Sequence, residues 1–190
     1  MKTVDARKLA CPEPVTLTMK ALSESDEVLT IVDNEEARDN VSRLAKDQKC
    51  ELAVEKRSDG FYLTLKKTAF SPARPAADTG VVVLVASEHL GRGESEQLSS
   101  LLMQSFLHTL GGLPLKPETI IFVNSGVKLV AEGSPAVAEL EALHKEGVEL
   151  LACGTCLNFF HLVDKVKVGQ VSNMYAIADT LLRAGKVLSL

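Results

Sequence analysis

A tract rich in proline and alanine, residues 69–79 (AFSPARPAADT), breaks every hydrophobic period in the chain, and different patterns stand on its two sides. Such a stretch reads as a linker, and when extended it spans on the order of tens of ångströms. In a chain of 190 residues it predicts two small domains, 1–68 and 80–190, in place of one large one.

Before the linker, residues 2–5 carry a short strand signal. Residues 12–22 place Val15, Met19 and Leu22 on one helical face, and residues 28–33 read as a strand. A helix over 35–47 turns Ala37, Val41, Leu44 and Ala45 inward. Alternating strands over 51–55 and 61–65 flank the turn Ser58-Asp59-Gly60, which predicts a hairpin. The order βαβαββ implies a two-layer sandwich, a four-stranded sheet with two helices on one face.

After the linker the pattern is that of an α/β domain with a mainly parallel sheet flanked by helices. Val81-Val82-Val83-Leu84-Val85 is an unbroken apolar run of the kind buried on both faces of a parallel sheet. A helix over 95–110, stopped by Gly111-Gly112, is expected to turn Leu98, Leu101, Leu102 and Phe106 inward. A second buried strand spans 119–123. Ser134-Pro135 is an N-cap followed by a proline at the first helical position, starting a helix with Val137, Leu140 and Leu143 inward and Gly147 at its end. Strand 148–152 follows. Ser172-Asn173 caps a helix with Met174, Ile177, Ala178, Leu181 and Leu182 inward, Gly185 closes it, and a last strand covers 187–190.

The charge balance, 21 Lys+Arg against 25 Asp+Glu, lacks the clustered positive field that nucleic-acid backbones require. The longest apolar run, Val81 to Ala86, is far short of the ~20 residues that span a bilayer, so no membrane partner is expected. The first eight residues hold no apolar segment of a secretory signal, which predicts a cytoplasmic location and reduced thiols. The cysteines at 11, 50, 153 and 156 form no disulfide framework; in a reducing compartment their pattern leans toward catalysis or metal.

Open α/β sheets place their sites outside the carboxyl ends of the strands. That rule nominates the segments at 87–94, at Asn124-Ser125-Gly126 and at Cys153-Gly154-Thr155-Cys156. Two sulfurs at CxxC spacing can reach each other, so one can hold a cargo sulfur while the other attacks and closes a disulfide. A zinc site would need two further ligands, and His161 is a candidate for only one of them, so no metal is expected. Arg92 suits an anionic sulfur or selenium compound at the sheet mouth, with Asn124 and Ser125 as further substrate-binding candidates. Gly91-x-Gly93 lacks the third glycine of a dinucleotide fingerprint, and no cofactor is expected. His89 and His161 flank the pair and are candidates to tune a thiol; His108 and His144 read as surface residues. In the first domain, Cys11 falls at the start of the first helix, with Pro12 at its first position. The pair Pro12 and Pro14 fixes the helix start and leaves the Glu13 and Val15 amides as donors to the sulfur, while the Glu13 charge opposes ionisation. An incidental capping cysteine fits the same residues. Cys50, opening a strand, reads as core.

Leu9-Ala10-Cys11-Pro12-Glu13-Pro14 followed by a helix resembles the TusA/SirA motif, and residues 80–190 resemble the DsrE-like family of sulfur-relay proteins. The fusion also carries Gly91-Arg92-Gly93, Asn124-Ser125-Gly126-Val127, Cys153-Gly154-Thr155-Cys156-Leu157-Asn158 and Val171-Ser172-Asn173-Met174-Tyr175. With these motifs in this order it resembles the YedF group of sulfurtransferase-like selenium-metabolism proteins. That resemblance implies a persulfide on Cys11 and receipt of sulfur by a cysteine after a strand. It also implies a link to selenium with a selenophosphate synthetase-type partner, and a homo-oligomer through the second domain. The expected function is a sulfur, or selenium, carrier loaded by a donor such as a cysteine desulfurase and relaying its cargo through Cys153/Cys156. Two other readings are a redox-sensing binding or regulatory module without turnover and a thiol–disulfide oxidoreductase using the CGTC pair.

Overall fold

A computed structural model describes residues 1–10, 12–68, 80–91 and 95–190. Cys11, Arg92 and the whole of the expected linker, 69–79, lie outside the described residues. The chain forms two compact units, each built on its own sheet.

The first unit follows the expected order: β1 (Lys2–Asp5), α1 (Glu13–Glu24), β2 (Glu27–Val32), α2 (Glu35–Asp47), β3 (Cys50–Arg57) and β4 (Gly60–Lys67). The sheet order is β1-β2-β4-β3, with β1 parallel to β2 and the other pairs antiparallel. The hairpin closes with Arg57 opposite Gly60. Gly60 has φ +148°, and a Cβ there would lie 2.3 Å from the Val32 carbonyl oxygen, so the turn needs glycine. Alternation on β4 sends Phe61, Leu63 and Leu65 into the core, where they meet Val15 and Leu22 from α1 and Val41 and Leu44 from α2. Each such side chain, fully buried, contributes roughly 1.5–3 kcal/mol. The expected inward Met19 is only half-buried. Thr18 is fully buried on that helix, its hydroxyl donating to the Pro14 carbonyl at 2.6 Å and lying 2.9 Å from the Thr30 hydroxyl. A threonine whose hydroxyl is satisfied in this way is cheap to bury. Asn34 caps α2, its side chain accepting from the Ala37 amide at 2.8 Å.

After residue 79 the chain forms β5 (Val81–Val85), α3 (Glu96–Gly112), β6 (Thr119–Phe122), α4 (Val137–Lys145), β7 (Glu149–Cys153), α5 (Gly154–Phe159), β8 (Gln170–Ser172), α6 (Met174–Arg183) and β9 (Lys186–Ser189); residues Asn173–Ala178, at the start of α6, group with the first unit and the rest with the second. A 3-10 segment, Asn124–Val130, follows β6. All strand pairs are parallel, in the order β8-β7-β6-β5-β9. The central strands are nearly all buried, as their apolar runs require: Ile120, Ile121, Phe122 and Leu150 are fully enclosed.

Three expectations are corrected here. On α3 the buried face is Ser99, Met103, Leu107 and Leu110, while Leu98, Leu101 and Leu102 are exposed at 55%, 59% and 43% and Phe106 is half-buried. Apolar residues surround much of this helix, so periodicity alone allowed two faces. The face with small Ser99 lets the backbone come close, and the Leu90 amide donates to the Ser99 carbonyl at 3.0 Å. The helix also runs through Gly111-Gly112 and ends at Leu113, whose extended backbone is the one favoured before Pro114. On α6, Ile177 is buried, but Met174, Ala178 and Leu182 are exposed, Leu182 at 88%. Strand β8 carries too little apolar sequence to signal itself and was not expected. At α4 the start also falls later than expected: the cap is Ala136, with no side-chain cap bond, and regular helix begins at Val137, while the Ser134 hydroxyl accepts the Ala136 amide at 3.2 Å just before it. Its far end is a Schellman motif: Gly147, at φ +98°, donates to the His144 carbonyl, and Val148 to that of Leu143.

Candidate functional site

The CGTC segment lies where β7 becomes α5, at the carboxyl end of a central strand. Cys153 is the last residue of β7 and only 1% exposed; Cys156, in α5, is half-buried. The Cys156 thiol is close enough to Cys153 to act on its ionisation. Burial pushes the Cys153 thiol up to about 12. The Cys156 and Thr155 backbone amides oppose this rise, and the neighbouring Cys156 thiol adds to it. Cys153 is thus held as a neutral thiol, while Cys156 presents the more accessible sulfur. Gly154 is buried at the start of α5 and Thr155 is exposed.

Asn124 comes to this pair, through its backbone and not its side chain. Its amide donates to Cys156 Sγ at 3.1 Å. Ser125 is half-buried one residue further on. Neither histidine expected to flank the pair acts on the Cys153 thiol: burial, Cys156 and Thr155 account for its shift. His161 is exposed, at φ 55°, and the His89 amide donates to the Ser87 hydroxyl. His108 and His144 are exposed, as expected for surface residues. Cys50 is half-buried against the first core, its thiol raised by burial. Among the described residues no three His, Cys, Asp or Glu side chains gather as metal ligands, and no helix is long and apolar enough to cross a membrane.

A cleft of about 390 Å³ opens beside α5, with Glu88, Lys128, Phe160 and Leu162 in its walls. The Lys128 ammonium pairs with Glu88 and sits 5.2 Å from the centroid of the Phe160 ring. Sequence reasoning missed Lys128 and Phe160, because a lone lysine and a lone phenylalanine carry no motif.

In the first unit the residues around position 11 are anchored on both sides. The Lys8 amide donates to the Asp33 carboxylate at 2.9 Å, and Leu9 packs on the core. Arg7 bridges Asp5 and Asp59, which draws the Asp5 carboxyl down to about 2. The cap of α1 is Pro12, so the helix starts one residue later than expected, and Pro14 is buried in its first turn. The two amides expected to serve the sulfur are engaged elsewhere: Glu13 donates to the Ala10 carbonyl at 3.0 Å and Val15 to that of Pro12 at 3.1 Å.

A βαβαββ domain followed in the chain by a parallel-sheet domain with a dithiol at a strand end fits the two sulfur-relay families that the chain matches. Residues 81–190 match the DsrE/DsrF-like family, and the chain belongs to that family; residues 2–67 match the sulfurtransferase TusA family. Among solved structures, a SirA-like protein from Desulfitobacterium hafniense is 31% identical, with 35% of this chain and 96% of that one covered and a TM-score of 0.33. The ychN protein of E. coli is 20% identical over 58% of this chain and 99% of its own, with a TM-score of 0.42. A protein of unknown function from Methanobacterium thermoautotrophicum is 19% identical over 60% and 100%, also at 0.42. No curated protein matches the chain.

Proposed function

We propose that the chain carries sulfane sulfur, or selenium in its place, as a cysteine persulfide or its selenium analogue, and that Cys156 is the carrier thiol of the second domain. One observation carries this reading: in a dithiol pair Cys156 is the reachable sulfur and receives a backbone N–H, while Cys153 is buried and kept protonated. The Cys156 thiolate attacks the terminal sulfur of a donor persulfide R–S–SH. The new bond makes Cys156–S–SH, the donor S–S bond breaks, and R–S⁻ leaves. Release to an acceptor thiolate reverses this exchange. In the absence of an acceptor, Cys153 attacks Cys156 Sγ and closes the Cys153–Cys156 disulfide. The S–SH bond breaks and the sulfane sulfur leaves as H₂S, taking the Cys153 proton. A dithiol reductant then resets the pair. A thiol held neutral is a poor nucleophile, so the burial of Cys153 protects the loaded state until its proton is removed.

Cys11 is the entry thiol on this reading, supported by the TusA match and by the anchored segments on either side of it. A cysteine desulfurase is the donor, a selenophosphate synthetase-type protein is a partner on the selenium branch, and the second domain forms a homo-oligomer. The CxxC spacing, with the Cys156 thiol acting on Cys153, also favours a second reading, a dithiol–disulfide couple without cargo. Loading the full chain with a desulfurase and cysteine, followed by peptide mass mapping, separates the two. A gain of one sulfur on the Cys11 and Cys156 peptides is expected. A Cys153–Cys156 disulfide with no sulfur gain on either peptide would leave only the oxidoreductase.

A further inference from the structure

We propose that Asn124 is the positioning residue of the carrier thiol: its main-chain N–H, fixed in place by the seating of Gly126 against β5, holds the Cys156 sulfur anion. The inference rests on Cys156 being the carrier, and it adds a defined donor to that thiol.

The geometry is built from four contacts. Beyond β6, Val123 donates to the Val85 carbonyl at 3.0 Å, which ties the chain to the end of the neighbouring strand. Asn124 then adopts φ 49°, in the left-handed region, where asparagine is enriched among non-glycine residues. Gly126 lies flat against that strand: a Cβ would stand 2.4 Å from the Val85 carbonyl oxygen and 3.1 Å from its carbon. The segment is therefore pinned at both ends. Between the pins, the Asn124 amide meets Cys156 Sγ at 3.1 Å, and α5 holds Cys156 from the other side through the Phe160 amide on its carbonyl at 3.1 Å.

A fixed N–H on this sulfur serves both directions of transfer. When Cys156 attacks a donor persulfide, the anion consumed is Cys156–S⁻. When an acceptor thiolate takes the terminal sulfur, the same anion is the leaving group. A donor already in place stabilises that charge without reorganising, as preorganised amides do for developing oxyanions. The Asn124 side chain has no part in this contact, so the requirement is on backbone conformation: any residue that accepts φ > 0 with an N–H suffices.

The test is carried out on the full chain by alkylation and peptide mapping, which needs no cargo and so stands apart from the desulfurase experiment. Asn124→Val, a β-branched residue disfavoured at positive φ, and Gly126→Ala are each expected to slow Cys156 alkylation by about tenfold, the size of a hydrogen bond to a charged group. Asn124→Gly should recover most of the rate lost in Asn124→Val. As a readout that a purely structural role would not move, amide hydrogen exchange at Asn124 should accelerate in Cys156→Ala, which removes only the acceptor. Alkylation of Asn124→Val at the original rate, or Asn124 exchange that is the same with and without the Cys156 sulfur, would overturn the proposal. If the two substitutions prevent folding, the exchange comparison decides alone. Slowed alkylation together with no sulfur loading would retain Asn124 as the donor and reject the carrier reading.

Discussion

Cys153 and Cys156 are chemically unequal because the strand ends between them. Cys153 belongs to β7 and is enclosed with it; Cys156 sits one helical turn out. The folded chain holds the Cys153 proton well above the ordinary value of 9.0, up to about 12. Native protein treated with a thiol reagent near neutral pH should therefore be modified at Cys156 and spared at Cys153, as peptide mapping would show; equal modification would contradict the assignment. The sign for stability follows. A raised thiol favours the folded state fully below pH 9.0, and that advantage fades as pH rises from there toward 12. Denaturant titrations at a series of alkaline pH values should show this loss, and Cys153→Ala should remove it. Asp5 works in the opposite direction. Arg7 lowers it from 3.8 to about 2, so its contribution is present above pH 3.8 and disappears as pH falls toward 2. The pair lies at the surface, so Asp5→Asn should flatten the acid limb only slightly.

At the scale of elements, α3 shows where sequence patterns decide a fold and where they do not. Leu107 is fully enclosed and Leu101 is 59% exposed, six residues apart on one apolar helix. Leu107→Ala should cost about 2–5 kcal/mol, whereas Leu101→Lys should stay within about 0.5 kcal/mol. Urea denaturation of the two variants would measure both, and the reverse order would mean that the other face is inward. The strands other than β8 were legible, because alternation on β4 and the unbroken runs of β5 and β6 leave little choice of face. The burial of α3 was not legible, because leucines at 98, 101 and 102 compete with Met103 and Leu107 for the same period, and the small residue that resolves the tie, Ser99, adds no hydrophobic signal. The site was legible to a similar depth. The CGTC spacing and the rule for strand ends located the dithiol. The inequality of its sulfurs depends on where β7 stops, and the Asn124 donor is a main-chain amide from a distant segment, which no residue type announces.

At the scale of the whole molecule, the chain joins a TusA-like and a DsrE/DsrF-like unit, each with its own sheet and its own motif cysteine. On the proposed carrier reading, two carriers in series make sense only if they differ in what they accept. In the sequence the first has a motif cysteine just ahead of α1, while the proposed second carrier has a dithiol that would discharge itself through Cys153. This asymmetry predicts an order. With a desulfurase as donor, Cys156→Ser should leave loading of Cys11 intact, since nothing in the first step requires the dithiol. Cys11→Ser should abolish the appearance of sulfur on Cys156, because that thiol is then cut off from its supplier. In the Cys153→Ser chain the persulfide on Cys156 should outlast that of the unmodified chain, because the internal attack that closes the disulfide and releases H₂S has lost its nucleophile. Time-resolved peptide mapping of the three variants reads all of these. Sulfur reaching Cys156 as fast in the Cys11→Ser chain as in the original would show that the second unit is charged directly, and the series would have to be redrawn as two independent carriers on one chain.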